Sequence, residues 1–393
     1  MLAKGALFFF GIALWYKGLS FFAYYLLPAA WVLDGGLYRF RQLIKEPLVL
    51  GILVLCLVLA LGILWSDYPK LGFKVWRRYS AFLVFIPYLG LLNKERLPWA
   101  IGGALIGYFG ALLIGLYQWL VMGAQGIPLL AMPYLHFSSM LGIGVLLALY
   151  LAGTSKNKTR KLLFWCFAIF LLFFQFDQHA RGILAATLIS SLFLIFLLYK
   201  AEFKRLLVVM VSLAFATGIF AYNSASFHER LIQAERDIEL AKQGSYHTSL
   251  GYRFAVWEIG LHGITERPLF GYGTGSAADY FNQTVQVYKG GLYKSALELH
   301  DTYHYHNDWI EIGMHLGLLG LLSYAFFLWS WFQTLRTHQF ATIGLVLMSF
   351  IFVSGLTDNL VFFRQTIYLL LVVTAIYVGL GTNIVLKDRS KNL

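Results

Sequence analysis

Long apolar runs broken by short polar segments set the rhythm of this chain. In order they lie near residues 5–16, 18–33, 47–65, 78–93, 98–122, 134–153, 161–175, 182–199, 206–222, 307–333, 340–357 and 365–385. A helix needs roughly 20 apolar residues to cross a hydrocarbon core, and fewer where the bilayer is locally thin. The pattern therefore predicts an all-α polytopic membrane protein with about twelve transmembrane helices. The stretch ALWYKGLSFF places a polar break at Lys17, read as a turn between two short helices. The first run is expected to be a membrane helix rather than a signal peptide.

One sizeable polar excursion interrupts the runs, over 223–305. Within it, SFHERLIQAERDIELAKQ predicts an amphipathic helix with Leu231, Ala234, Ile238 and Ala241 on one stripe. YRFAVWEIGLHGITER predicts a second helix stopped by Pro268, and GYGTGS turns the chain toward a third helix capped by Ser276. The excursion has too few core residues to stand alone and is expected to lie over the membrane part as a lid. The expected organisation is helices 1–9 over 1–222, the loop over 223–305, and helices 10–12 over 306–393.

Composition agrees with a membrane chain. Hydrophobic residues make up 59% of the 393 and charged residues only 13%, against about 25% charged in a soluble domain. The net charge of +12 is carried in short loops between apolar runs, which fits membrane orientation better than nucleic acid. With the N-terminus inside, 17 basic residues fall in inner segments and 7 in short outer loops. That bias predicts both ends in the cytoplasm and the long loop outside; without the break at Lys17 it would reverse. Cys56 and Cys166 both lie in apolar runs, giving neither a disulfide framework nor a zinc pattern.

Absent motifs narrow the chemistry. The dipeptide Gly-Lys never occurs, so no phosphate loop can drive an ATP-powered pump. GYGTGS has the wrong spacing for a dinucleotide fingerprint, and Asp237-Ile-Glu239 reads as the solvated face of an amphipathic helix. Several cations are expected on the outer side. Arg181 opens a membrane helix beside Asp177, Gln178 and His179, and KLGFKVWRRY supplies Lys70, Lys74, Arg77 and Arg78. Such clusters suit either headgroup anchoring or a phosphate-bearing lipid or sugar.

The segment LHDTYHYHNDWIEIGMHLGLLG, 299–320, holds four histidines. His300 and His304 are four apart, a spacing that can serve a metal, but no Cys or third His stands at a recognisable ligand spacing. His300, His304 and His315 are therefore read as interfacial polar residues and no metal is expected. His306 differs by position. Asp308 followed by Glu311 resembles a capping box, so a helix begins at about Asn307–Asp308. His306 then stands at the positive end of the helix dipole, which favours a neutral imidazole and an anionic ligand. Glu311 and His315 are ionisable groups within a span, which suggests function.

Three of these segments carry a resemblance. YHYHNDWIEIGMHLGLLGLL resembles the His-Asn signature of the O-antigen ligase and polymerase superfamily. GYRFAVWEIGLHGITERPLFGYGTGS is similar to that family's Arg…Trp…Pro-Leu-Phe-Gly-x-Gly segment, and QHARGILAA to its Arg-bearing element. The likeness covers about 160–380; the N-terminal third matches only in its pattern of helices. It implies a GT-C-like glycosyltransferase of the bacterial inner membrane, with its active site on the periplasmic side and no cofactor. The donor would be an undecaprenyl-diphosphate-linked glycan and the acceptor a hydroxyl of lipid A-core, with membrane lipids around and no nucleic acid. His306 matches the residue held to deprotonate the acceptor, and Arg181 and Arg253 match two arginines held to bind the diphosphate, in a metal-independent, inverting transfer. Asn307, Glu311, His179, Lys74, Arg77 and Arg78 are expected at the substrates. The O-antigen polymerase and a protein O-oligosaccharyltransferase are alternatives within the superfamily. A transporter using Glu311 and His315 as a proton relay is a rival from another class.

Overall fold

The computed structural model describes residues 1–298 and 304–389; the side chains of Ser226 and of 383–389 lie outside that description, as does His300. Among the described residues the secondary structure is helical, with a single isolated bridge between Ile127 and Met132. The helices are α1 (Leu2–Ala13), α2 (Lys17–Leu33), α3 (Gly36–Leu43), α4 (Pro47–Leu61), α5 (Pro69–Tyr79), α6 (Phe85–Leu91), α7 (Leu97–Met122), α8 (Tyr134–Thr154), α9 (Lys158–Phe176), α10 (Arg181–Tyr199) and α11 (Phe203–Asn223). They continue with α12 (Ala225–Lys242), α13 (Ser249–Glu266), α14 (Ala277–Thr284), α15 (Asp308–Thr337), α16 (Ala341–Thr357) and α17 (Arg364–Arg389). Each of the expected apolar runs falls on helix, and the break near Lys17 is a turn between α1 and α2. Among the described residues, eight helices are long and apolar enough to cross a membrane, and α1 and α16 are shorter apolar helices.

Local chemistry explains many of the ends. Proline stands at the first turn of α4, α5 and α7, where its missing N–H removes no helical bond. Asn157, Ser224 and Thr248 cap α9, α12 and α13 through their side chains. Inside the bundle, α1 crosses α7 so closely that a side chain at Gly103 or Gly107 would run into the backbone of α1. Small residues permit that approach, the usual basis of helix packing where lipid competes for every apolar contact. Some polar groups within the bundle are paired across helices. Gln175 of α9 donates to the Ser138 hydroxyl of α8 at 3.1 Å and to Thr187 of α10 at 2.9 Å.

The excursion between α11 and α15 packs on the bundle rather than on itself alone. Its buried cluster joins Tyr252, Val256, Ile259 and Phe281 to Tyr305, Ile310 and Met314, the last two from α15. Three local expectations change. On α12, Leu231 and Ile238 of the expected apolar stripe remain exposed, whereas Asp237, expected in solvent, is buried and accepts the Leu250 amide at 3.2 Å. Asp237 thereby ties α12 to the first turn of α13. Ser276 does precede α14, yet its hydroxyl meets Ser66 at 3.0 Å and does not cap the helix.

Candidate functional site

The site is built on a break in α15. At Gly317 the backbone takes φ 57°, ψ −142°, a region essentially open to glycine alone. The break frees carbonyls before it and amides after it, and buried backbone groups must find partners. Residues 268–273 supply them. Leu318 donates to the Pro268 carbonyl at 2.7 Å and Leu319 to that of Leu269 at 3.2 Å. In return, the amides of Tyr272 and Gly273 reach the carbonyls of Met314 and His315, each at 2.9 Å. The Pro-Leu-Phe-Gly-Tyr-Gly segment and the Gly-rich half of α15 are thus two halves of one clamp.

The clamp and the buried pair above it hold the loop before α15. Glu311 and His315 lie one turn apart, 3.2 Å from each other and only 2% exposed, so the interfacial reading of His315 is replaced by a buried one. The second carboxylate oxygen of Glu311 accepts the Tyr305 amide at 2.9 Å. The Tyr305 hydroxyl donates to the Ala277 carbonyl at 2.8 Å, and Trp257 donates to the His306 carbonyl at 3.3 Å. So held, His306 adopts φ 47°, the left-handed region that non-glycine residues seldom occupy outside constrained sites. The expected capping box is replaced by a cap at Asn307, whose side chain accepts from Trp309 and Ile310 and donates to the Leu356 carbonyl. The side chains of Asn307 and Glu311 are therefore engaged with the chain itself.

His306 points its Nδ1 at Asp358 Oδ1, 3.1 Å away. Asp358 is 4% exposed, lies between α16 and α17, and also faces Arg253 at 3.6 Å and His304 at 3.9 Å. Burial alone would raise the Asp358 carboxyl, but the His306 hydrogen bond and the charges of His306 and Arg253 hold it below its ordinary value. Burial, and then the neighbouring His306, push His304 down to about 4. Sequence reading missed Asp358. Its signal was a polar Thr357-Asp358-Asn359 trio between two apolar runs, with nothing in the spacing to link it to position 306.

A cavity of about 50 Å³ adjoins this carboxylate, and Arg181, Arg230, Arg253, His179 and Asp358 line it. Tyr134, Arg181 and Ser249, the first residues of α8, α10 and α13, line it too. Three helix N-termini and three guanidinium groups around one carboxylate make a strongly positive pocket suited to an anion. Arg230, on α12, was not singled out in the sequence. It meets His179 Nδ1 at 2.9 Å, and its carbonyl accepts from Arg181 at 2.5 Å. Burial, then the Arg230 charge, lowers His179, keeping that ring neutral. Of the expected outer cations, Arg78 lies over the Phe362 ring at 4.6 Å and lines a second cavity, while Lys74 and Arg77 are exposed on α5.

Among the described residues, His304, His306 and Asp358 are the group able to meet one cation, their ligand atoms all within 4.8 Å of one another. The same geometry serves an imidazole oriented by a carboxylate, and the Arg253 guanidinium beside Asp358 opposes a further positive charge.

Fold and site thus define a polytopic helical membrane protein with an anion pocket beside a carboxylate-held histidine. Residues 166–325 match the family described as O-antigen ligase. The chain is 27% identical over 231 residues to the O-antigen ligase of Escherichia coli (strain K12), covering 58% of this chain and 53% of that protein. It is 26% identical over 157 residues to an uncharacterised protein of Haemophilus influenzae, 38% of each. The chain therefore spans about half or less of the length of these relatives. These matches support the resemblance to the O-antigen ligase superfamily that the three sequence segments suggested.

Proposed function

We propose that the chain is a bacterial inner-membrane glycosyltransferase that moves O-antigen glycan from undecaprenyl diphosphate to a hydroxyl of lipid A-core on the periplasmic side. The observation that supports this most is the convergence of the three family segments. Arg181, Arg253 and His306, far apart in sequence, meet around one buried carboxylate.

In this reading the donor diphosphate sits in the arginine-lined pocket, against the helix N-termini. Asp358 accepts the Nδ1 proton of His306 and so leaves Nε2 free as the base. The acceptor hydroxyl gives its proton to Nε2 while its oxygen bonds the anomeric carbon. The bond from that carbon to the diphosphate oxygen breaks, and the electron pair leaves with the lipid diphosphate. One displacement inverts the anomeric centre. Arg181 and Arg253 stabilise the charge that gathers on the leaving oxygen, the contribution a metal makes elsewhere. Glu311 and Asn307 act as positioning residues by fixing the loop at 304–307, and His179 by holding Arg230. The carrier's diphosphate supplies the leaving group, so ATP is not consumed.

Purified protein mixed with carrier-linked glycan and lipid A-core, in chelator and without ATP, should form product. His306→Ala should abolish it. Full activity in that variant would overturn the base, and chelator-sensitive transfer rescued by a divalent ion would restore a metal at His304, His306 and Asp358. In a deletion strain, loss of all O-antigen with carrier-linked polymer accumulating is expected. A single-repeat rung would identify a polymerase instead.

A further inference from the structure

The arginine pocket is too narrow for two substrates, and the structure offers a second way to His306. A cavity of about 480 Å³ lies on the His304 side of the cluster, lined by Lys17, Arg78 and Arg364 together with His136, His304 and Gln365. The His304 and His306 rings lie tilted with centroids 4.0 Å apart; His304 lines this cavity, whereas Arg253 lines the small one. The start of α8 divides the two spaces. Pro133 and His136 line the large cavity, and Tyr134 and Leu135 line the small one.

The large cavity is unbalanced in charge. Among the described residues, its lining holds three cations and no carboxylate. Among the described residues no ion pair involves Lys17, Arg78 or Arg364, and Arg78 lies over the Phe362 ring, which orients its guanidinium without neutralising it. The wall is also ordered, since Gln365 is buried and meets His136 Nδ1 at 2.6 Å. Three cations brought from α2, α5 and α17 around a space of sugar size suit a phosphorylated saccharide, which supplies both the anions and the hydroxyls.

We propose that this cavity binds the phosphate-bearing saccharide of the acceptor lipid, with Lys17 and Arg364 as acceptor-specificity residues. The assignment rests on the transferase reading above. It gives that reading its geometry: donor diphosphate on the Asp358 flank, acceptor on the His304 flank, and the base between. An inverting displacement needs the incoming oxygen on the face opposite the leaving group, and two cavities divided by a helix end supply separate approaches.

The test measures binding of lipid A-core with its phosphates intact, and of the same lipid after enzymatic dephosphorylation, to the purified full chain without donor. Inorganic phosphate serves as competitor. Each cation lost should weaken binding roughly fivefold. The Lys17→Gln/Arg364→Gln double variant should therefore bind the intact lipid on the order of 25-fold more weakly. It should bind the dephosphorylated lipid as the unaltered protein does, and Lys17→Arg with Arg364→Lys should retain affinity. In transfer assays the acceptor KM should rise and the donor KM hold. Equal binding of intact and dephosphorylated lipid by a chain that does transfer glycan would overturn the cavity assignment alone, as would a rise confined to the donor KM. Displacement of the lipid by inorganic phosphate at equal concentration would mark a free-phosphate site and overturn it too. A chain that discriminates phosphates but transfers nothing would overturn the function and leave the cavity standing.

Discussion

Replacing Asp358 by Asn probes the site at the point where its parts meet. The carboxylate lies 3.1 Å from His306 Nδ1 and 3.6 Å from Arg253. In the proposed mechanism His306 takes the acceptor's proton and becomes an imidazolium beside that carboxylate. At 3.1 Å and an effective dielectric near 20, the attraction is about 5 kcal/mol. An amide keeps the shape and part of the polarity; losing about half the attraction corresponds to roughly a hundredfold in rate. The same substitution removes the charge facing Arg253, leaving that guanidinium freer to hold the donor's diphosphate. Asp358→Asn should therefore lower kcat about a hundredfold while the donor KM stays constant or falls. Steady-state transfer with donor and acceptor varied separately reads both values, and a melting curve checks that the protein is folded. An unchanged kcat with a raised donor KM would refute the reasoning, because Asp358 would then be serving the anion pocket and not the base.

Glu311→Gln should disturb the loop through the Tyr305 amide and the His315 contact, lowering kcat by tenfold or more while both KM values move little. Restoration by Asp is not expected, since the shorter side chain cannot reach Tyr305. Gly317→Ala puts a β-carbon into a region forbidden to it and against the Pro268 carbonyl, so a loss of roughly 1–3 kcal/mol is expected, read as a lower melting temperature in detergent. The pH dependence should follow His304, which faces His306, Asp358, Glu311 and Arg78. Its folded value is pushed down to about 4, so the folded chain resists protonation that the unfolded chain accepts. Stability from this group is complete above about pH 6.5 and falls as pH drops toward 4, and His304→Gln should flatten that slope in melting temperature. Asp358, held below its ordinary value, contributes above about pH 4 and loses its contribution only below that.

The apolar runs determined the helices, because burial in lipid rewards an uninterrupted hydrophobic segment wherever it occurs and needs no knowledge of its neighbours. The break at Lys17, the helix stop at Pro268 and the start of α15 were legible for the same reason: each is a local backbone event. Arg181, Arg253 and His306 were legible as candidates from the order of three short segments. That they lie around one buried carboxylate was not. Asp358 entered only when α16 brought it to the loop before α15, since an ion pair depends on distance in space and carries no periodicity. Arg230 was hidden on a charged helix where any arginine looks solvated. Asp237 was misread there too, its burial arising from α13 folding back over it. The reason Gly317 must be glycine also belongs to the tertiary structure, for the break it permits survives only because residues 268–273 satisfy the backbone groups it exposes. Sequence determined which segments would form helices; only their packing decided which charges face one another, and with them the site.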